Sequence, residues 1–357
     1  MTTALRLGII GAGRMGITHY SIANAHDFAR VVGVADPSKL VTAMLAKYAQ
    51  VGTYKDYRSL LKNEVLDAVL VCTPPALNPE ILDAVLEHQL HAFVEKPFVL
   101  NSADGERFAR AFSAAGLVNQ VGYVNRWNDM FSKAKNFVAE GLIGAPLRFR
   151  SEMFSGTIIR DVGEAGWRAS HANGGGAVYE MASHAIDLIN YFFGVPARVG
   201  GTSLSQVYST SVEDVVSTNV FYDNGLAGTM YVNWSDASYR KPTNKFEIFG
   251  KNGKIQVDQH GMKIFLAAAN LQYGLKQGWN QLYITDVFSN VPFYVRGIEY
   301  TAQLFDFIDA VQAAKSNTLQ DGHGAPTRCS FSDAAANLRI IEQLFTDDAA
   351  QKAGAAE

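Results

Sequence analysis

Short apolar runs alternate with amphipathic segments over the first third of the chain. Such runs predict buried strands, and segments with apolar residues every three or four positions predict helices. The predicted strands lie at 5–10, 31–35, 67–72, 91–95 and 117–122, and the predicted helices at 14–28, 38–50, 56–62, 79–88 and 102–115. Strands that alternate with helices indicate a parallel, doubly wound α/β sheet. We place this domain at residues 1–123.

From residue 124 onward the pattern is richer in strands. Asn224-Gly225 and Asn252-Gly253 favour hairpin turns, because these residues accept a positive φ at low cost. Residues 124–357 therefore form a second, predicted α+β domain with a mostly antiparallel sheet, and residues 347–357 are expected to fray. Its predicted strands lie at 147–154, 198–207, 215–222, 226–234, 243–249, 254–257 and 262–266, and its helices at 130–140, 178–193, 300–315 and 331–345.

A glycine-rich turn joins the first predicted strand to the first helix. Gly11 allows a tight turn, Gly13 lets a pyrophosphate approach the backbone, and Gly16 lets helix and strand pack closely. Arg14 and Met15 open the helix, whose free N–H groups suit phosphate. The first strand, the glycine turn, the first helix and the second strand are followed by an acidic residue. This order is typical of a dinucleotide-binding site. The alternative is a glycine-rich turn that binds nothing.

The acid of this pattern is Asp36, at the end of the second strand. A carboxylate there can accept hydrogen bonds from ribose hydroxyls and repels a 2′-phosphate, which favours NAD over NADP. Lys39 follows closely enough to leave NADP open as a cofactor.

Two further turns follow predicted strands of the same sheet. They contain Cys72-Thr73-Pro74 and Glu95-Lys96-Pro97, and we expect them to share one cleft with the glycine turn. We include Cys72, Thr73, Pro74, Glu95 and Lys96 among the cofactor-binding candidates. Lys96 could also donate to a substrate oxygen. The alternative is a surface lysine paired with the adjacent acid.

One predicted helix of the second domain carries a polar stripe. Glu180, His184 and Asp187 stand at i, i+4 and i+7, and Tyr191 continues the line. Acids beside a histidine suit proton transfer, whereas the alternative is an exposed helix face. No metal is expected, because the chain lacks the motif H-E-x-x-H, a cysteine ligand pair and a second histidine at helical spacing.

Composition narrows the class of protein. The 357 residues are 48% hydrophobic and 18% charged with a net charge of −3, which fits a globular protein without a basic footprint for nucleic acid or membrane. No apolar segment approaches membrane-spanning length, and the N-terminus does not resemble a signal peptide. Cys72 and Cys329 form no disulfide framework, so we expect a cytoplasmic protein.

These motifs together resemble the Gfo/Idh/MocA family, the glucose–fructose oxidoreductase and inositol dehydrogenase group. The resemblance rests on the glycine turn, the two strand-end turns, and the glycine run before His184. It implies an N-terminal Rossmann domain, a C-terminal domain whose open sheet packs in homodimers or homotetramers, and roles at the substrate for Lys96 and His184. Asn125, Trp167 and Arg168 resemble family positions that line the cleft.

The chain departs from the family pattern at two positions. Glu180 replaces the usual aspartate four residues before the histidine, which puts its role and the hydroxyl pattern it reads in doubt. Asn78 replaces a histidine that often follows Thr-Pro, which weakens any cofactor contact assigned there.

Our hypothesis is an NAD(P)-dependent dehydrogenase that oxidises a hydroxyl of a cyclitol, sugar or sugar derivative. His184 would be the general base and Lys96 would stabilise the developing charge, although their roles could be exchanged. Glu180 and Asp187 would orient His184 or bind neighbouring hydroxyls. Two alternatives remain open: an enzyme that uses NAD in a net non-redox reaction such as glycoside cleavage, and a non-catalytic nucleotide-sensing protein.

Overall fold

The computed structural model describes residues 4–161, 167–316 and 327–354. The chain separates into two compact units. The first comprises Met1–Val124 and Asn290–Ala335, and the second comprises Asn125–Ser289 and Ala336–Glu357. The α-helices are α1 Arg14–Ala23, α2 Lys39–Tyr48, α3 Tyr57–Asn63, α4 Asn78–Glu87, α5 Ser102–Ala114, α6 Asp129–Ala139, α7 Ser183–Phe193, α8 Ile298–Lys315 and α9 Phe331–Gly354.

The first unit contains a sheet whose described strand pairs are all parallel. Its strands run in the order β3-β2-β1-β4-β5-β6, which confirms the predicted doubly wound sheet. The order reverses between β1 and β4, so a ligand crevice forms beyond the carboxyl ends of these strands. The strands are β1 Leu5–Ile10, β2 Ala29–Ala35, β3 Gly52–Tyr54, β4 Ala68–Val71, β5 His91–Val94 and β6 Asn119–Val121.

Helix α8 completes the core of the first unit. Leu304, Phe307 and Ile308 are fully buried in one cluster with Leu7 of β1 and Phe93 of β5. Burial of side chains this large contributes about 1.5–3 kcal/mol each. A helix from the C-terminal part of the chain thus stabilises the sheet that carries the glycine turn.

The second unit contains an eight-stranded sheet in the order β14-β13-β12-β11-β7-β10-β9-β8. Its strand pairs are antiparallel except for β7 and β10, which confirms the predicted, mostly antiparallel sheet. One face is buried, with Phe246 of β11 stacked 4.7 Å from Phe192 of α7. The strands are β7 Pro146–Phe154, β8 Arg198–Ser205, β9 Val215–Phe221, β10 Ala227–Asn233, β11 Thr243–Gly250, β12 Gly253–Asp258, β13 Gly261–Leu266 and β14 Gly278–Tyr283.

Several predicted bounds were wrong. Strands β3 and β14 had not been predicted, and α1 ends at Ala23 instead of near Phe28. Residues 347–354 were expected to fray, but they belong to α9, which continues to Gly354. The carboxylates of Asp347 and Asp348 accept the backbone N–H groups of Thr202 and Leu204, which ties this end of α9 to β8.

Candidate active site

The glycine turn after β1 has the geometry that a phosphate cradle needs. Gly11 has a φ of +93°, and a Cβ at this position would lie 2.7 Å from the carbonyl oxygen of Cys72. A Cβ at Gly16 would collide with the carbonyl oxygen of Gly11, whereas a Cβ at Gly13 would meet nothing within 4 Å. Gly11 and Gly16 therefore serve the fold, and Gly13 leaves open space beside the backbone.

The first turn of α1 is available to an anion. Gly13 precedes the helix in extended conformation, and no side chain caps it within the described residues. Arg14 is exposed and Met15 is half-buried at the helix start. Free N–H groups and the positive end of the helix dipole attract phosphate. These residues fit the pyrophosphate of a dinucleotide.

Asp36 lies directly after β2 and is half-buried. Its Oδ2 accepts the N–H of Ala12 at 2.7 Å, and its Oδ1 accepts the N–H of Ser38 at 2.8 Å. The carboxylate is thus fixed beside the glycine turn. A group held there can bind the ribose hydroxyls of an adenosine and repel a 2′-phosphate.

The turn after β4 is tied to the turn after β5 through Asn78. Thr73 Oγ1 donates to Asn78 Oδ1 at 2.6 Å, and Asn78 Nδ2 donates to the carbonyl oxygen of Phe98 at 2.8 Å. Asn78 is only 1% exposed. The residue that departs from the family pattern is therefore a buried link between two loops.

Cys72 and Pro74 occupy the same turn as Thr73. Burial raises the pKa of the Cys72 thiol well above its ordinary value, and the nearby charge of Glu95 raises it further. The thiol therefore stays protonated and is a weak nucleophile. Cys72 can line the cofactor site but does not have the electrostatics of a catalytic thiol.

Glu95 and Lys96 follow β5, and the peptide bond between Lys96 and Pro97 is cis. The Glu95 Oε1 atom lies 2.7 Å from Nε2 of His19, and Oε2 accepts the Lys96 backbone N–H at 3.3 Å. His19 is completely buried against Glu95.

The glycine run of the second unit makes room for a buried acid. Gly176 has a φ of +96°, and a Cβ there would collide with the carboxylate of Glu213. Glu213 Oε1 accepts the N–H of Val178 at 2.7 Å, and Oε2 lies 2.5 Å from Nε2 of His171. This hydrogen bond raises the pKa of His171. Glu213 had not been predicted, because no local pattern marks it.

Glu180 and His184 lie on two different kinds of helix. Glu180 belongs to a π-helical turn, Val178–Ala182, and His184 is half-buried in the first turn of α7. π-Helical turns occur frequently at functional sites. The carboxylate of Glu180 accepts Nε of Arg168 at 3.2 Å. The longer side chain at position 180 is thus paired with an exposed arginine.

Asp187 is a buried member of an ion pair. It is 1% exposed, its carboxylate accepts Nε and Nη2 of Arg126 at 2.8–3.1 Å, and Asn337 Nδ2 donates to it at 3.0 Å. Tyr191, the next member of the predicted stripe, contacts Arg126 and Lys135 through its ring. These contacts favour a positioning role for Asp187 over direct contact with a substrate hydroxyl.

The remaining predicted site residues lie in short 3₁₀ turns. Asn125 is buried in the turn Val124–Trp127. Trp167 opens the turn Trp167–Ala169, which also contains Arg168, and the Trp167 side chain lies outside the described part of the structure. In the described ranges, no three histidine, cysteine, aspartate or glutamate side chains lie close enough to hold a metal ion. No helix within those ranges has the length and apolarity that a membrane span requires.

Two family models match this chain. An oxidoreductase family with an NAD-binding Rossmann fold matches residues 5–123, and the GFO/IDH/MocA C-terminal domain matches residues 131–256. The protein is therefore an oxidoreductase with an NAD-binding Rossmann domain, which confirms the predicted class and cofactor. It belongs to the Gfo/Idh/MocA family, as its motifs predicted.

Relatives of the chain include proteins named as dehydrogenases of myo-inositol and of levoglucosan. It is 28% identical over 262 residues to myo-inositol 2-dehydrogenase of Thermotoga maritima, covering 71% of this chain and 75% of the relative. It is 26% identical over 285 residues to levoglucosan dehydrogenase of Pseudarthrobacter phenanthrenivorans, covering 70% and 73%. The solved complex of levoglucosan dehydrogenase with NADH and levoglucosan shares its fold, with a TM-score of 0.83, 22% identity, and coverage of 97% of this chain and 98% of that chain.

Proposed function

We propose that this protein is an NAD-dependent dehydrogenase that oxidises a secondary hydroxyl of a cyclitol, sugar or sugar derivative. One observation carries the proposal: Lys96 follows β5 in the same parallel sheet whose β1 leads into the open glycine turn. An amine and a dinucleotide cradle at the carboxyl ends of one sheet suit oxidation of a bound alcohol. The names of the relatives support inositols and anhydrosugars as the substrate class.

In the proposed mechanism each residue has one task at the reacting hydroxyl. Bound NAD supplies the acceptor for the hydride of the carbinol carbon. His184 takes the hydroxyl proton as general base, and Lys96 donates a hydrogen bond to the same oxygen as negative charge develops on it. Glu180 and Arg168 bind neighbouring hydroxyls, since a carboxylate accepts and a guanidinium donates.

Asp36 supports NAD over NADP as the working cofactor. Its two oxygens accept hydrogen bonds from the N–H groups of Ala12 and Ser38, so the carboxylate cannot easily turn away from a 2′-phosphate.

The proposal also includes the predicted division of the chain, in which residues 1–123 form the cofactor domain and residues 124–357 form the substrate domain.

The exposed face of the second sheet supports assembly with further copies of the chain. Phe249, Phe265 and Trp279 are 48%, 39% and 51% exposed and lie in one cross-strand row with Lys254 between them. Exposed aromatic residues in such an arrangement are typical of protein interfaces. We propose a homodimer or homotetramer that buries this face, and a cytoplasmic location consistent with the free thiols Cys72 and Cys329.

A substrate screen tests the proposed function. Purified protein is incubated with NAD or NADP and with inositols, aldoses, ketoses, anhydrosugars and sugar acids, and the absorbance of the reduced cofactor is followed. Stoichiometric NADH formation with a cyclic polyol is the expected result. Conversion of a glycoside without net NADH would favour a non-redox reaction, and NAD binding without turnover of any compound would favour a sensor.

A further inference from the structure

His19 and Glu95 form a buried pair beneath the end of β5. His19 lies on α1, one turn after the glycine turn, and its ring is 0% exposed. Its Nε2 lies 2.7 Å from Glu95 Oε1. Because an ionised carboxylate only accepts hydrogen bonds, Nε2 carries the proton and donates it. The other ring nitrogen is buried with no hydrogen-bond partner in the described part of the chain, so the ring has a single polar contact.

The carboxylate of Glu95 interacts with several residues of the first unit. Its second oxygen, Oε2, accepts the backbone N–H of Lys96 at 3.3 Å. A Cβ at Gly122, just after β6, would lie 2.9 Å from this oxygen, so glycine leaves the space that the carboxylate fills. The charge of Glu95 also contributes, after burial, to the raised pKa values of Cys72 and Tyr300.

We propose that His19 is a positioning residue for Lys96: it holds the Glu95 carboxylate, which in turn fixes the backbone and the electrostatic surroundings of the lysine. His19 is on the helix whose first turn faces the cofactor phosphates, so one rigid element places both the phosphate cradle and the reactive amine. The ring of Phe93 packs edge-on against His19 at 4.9 Å and restricts its orientation. This inference rests on the proposed dehydrogenase function.

The alternative is that His19 only stabilises the fold. A buried hydrogen bond to a charged group stabilises a protein whatever its place in the chain. His26 provides a matched control, because it is 8% exposed in the same unit and pairs with the carboxylate of Asp309 at 3.1 Å. Its partner lies on α8 rather than at a strand end that carries a reactive residue.

The test compares His19→Phe, His19→Gln and His26→Phe in the full chain. Phenylalanine keeps the ring and removes the donor, whereas glutamine keeps an N–H donor. We expect His19→Phe to lower kcat by about 10- to 100-fold with little change in the KM for NAD, because misplacement of a reacting group by about 1 Å costs up to about 100-fold. His19→Gln should recover most of this loss, and His26→Phe should lower the thermal midpoint while leaving kcat near that of the wild type.

A second readout does not require turnover. Lysines are reductively methylated with ¹³C-formaldehyde and a borane or borohydride reductant, and the Lys96 signal is assigned by its absence in Lys96→Arg. The inference predicts that His19→Phe shifts this signal and His26→Phe does not. If the wild type turns over no substrate, the proposed function fails, while this signal still decides the role of His19.

Two results would overturn the positioning role. One is an equal loss of kcat in His19→Phe, His19→Gln and His26→Phe, and the other is a Lys96 signal that does not move in His19→Phe. Should His19→Phe fail to fold, Glu95→Gln replaces it, since this variant keeps the shape and removes the charge. The Lys96 signal must then shift in Glu95→Gln, and an unchanged signal contradicts the inference.

Discussion

Single carboxylates determine much of the chemistry at the residue scale. Four carboxylates of the candidate site accept hydrogen bonds from protein groups that fix their positions. They belong to Asp36, Glu95, Asp187 and Glu213. A charge fixed in this way acts without reorganisation when a ligand binds. The residues that hold these carboxylates are therefore as important to the site as the residues that contact the ligand.

Asp36 should set the preference between NAD and NADP. Replacing Asp36 with alanine removes acceptors for the ribose hydroxyls and the charge that repels a 2′-phosphate. We expect the dissociation constant for NAD to rise about 10-fold, the equivalent of a lost charged hydrogen bond, and the ratio of NAD to NADP affinity to fall. Titration of protein fluorescence with each cofactor measures both quantities.

Lys39→Ala is the control for this prediction, because Lys39 is exposed near Asp36. An unchanged cofactor ratio in Asp36→Ala, or an equal change in Lys39→Ala, would remove Asp36 from its assigned role.

His91 should make stability depend on acid pH. Burial lowers the pKa of His91 to about 4, and its Nδ1 accepts the N–H of Val118 at 2.9 Å. The unfolded chain binds this proton near pH 6.5, so stability is highest above pH 6.5 and falls as the pH approaches 4. The loss over this window is about 3 kcal/mol.

Urea unfolding at several pH values measures this effect in the wild type and in His91→Asn. Asparagine keeps an acceptor but cannot take up the proton, so the free energy of unfolding of the variant should fall less steeply. Parallel pH profiles would show that His91 does not cause the acid sensitivity.

Among the elements, the glycine turn contains glycines with two different tasks: Gly16 is required by the fold, whereas Gly13 leaves space for the ligand. Gly16→Ala forces a Cβ into the Gly11 carbonyl and should destabilise the protein by about 1–3 kcal/mol or more. Gly13→Ala meets open space, so its free energy of unfolding should stay within about 0.5 kcal/mol of the wild type.

Gly13→Ala should weaken cofactor binding although it leaves the free energy of unfolding unchanged. The methyl group of Gly13→Ala occupies the space that a pyrophosphate needs, and NAD affinity should fall about 10-fold, or about 1.4 kcal/mol, at unchanged stability. Thermal unfolding with and without NAD makes the comparison. If Gly13→Ala bound NAD as tightly as the wild type, the phosphates of the cofactor could not lie beside Gly13.

The sequence was most informative where the physics is local. Periodicity predicted both sheets, and the glycine spacing predicted which turn would have open space. Strand β3 has three residues, too few for a periodic signal, and β14 shows no apolar run. The π-helical turn at Glu180 also escaped prediction. Its first residue, Val178, donates its N–H to the carboxylate of Glu213, which is distant in the sequence.

Contacts between distant positions could not be predicted from the sequence. Glu95 is 76 positions from His19, Glu213 is 35 from Val178, and Arg126 is 61 from Asp187. Motif spacing pointed to Lys96 and His184 as chemistry-bearing residues. It could not show which neighbours hold them, because those neighbours meet only after the sheets have formed.

At the scale of the whole molecule, the exposed sheet face should control assembly. Phe265 and Trp279 are cross-strand neighbours with ring centroids 5.5 Å apart. Introducing glutamates at both positions buries two charges in any interface that uses this face. We expect the double variant to elute as a monomer by size exclusion with light scattering, where the wild type elutes as a dimer or tetramer.

The matched control is Leu77→Glu, at an exposed apolar position of the first unit. It should leave the molar mass of the wild type unchanged. A monomeric wild type, or an intact oligomer in the double variant, would contradict assembly through this face.

In the proposed mechanism, Lys96 and His184 act on a ring hydroxyl while the hydride of its carbinol carbon passes to NAD. The most direct measurement is kcat with the best substrate of the screen for Lys96→Ala, His184→Ala and the exposed control His88→Ala, alongside NAD affinity for each. We expect kcat to fall about 100- to 10,000-fold for the first two variants at near-normal NAD affinity, and to stay unchanged for the third. Near-normal turnover in both Lys96→Ala and His184→Ala, with cofactor bound, would contradict this mechanism.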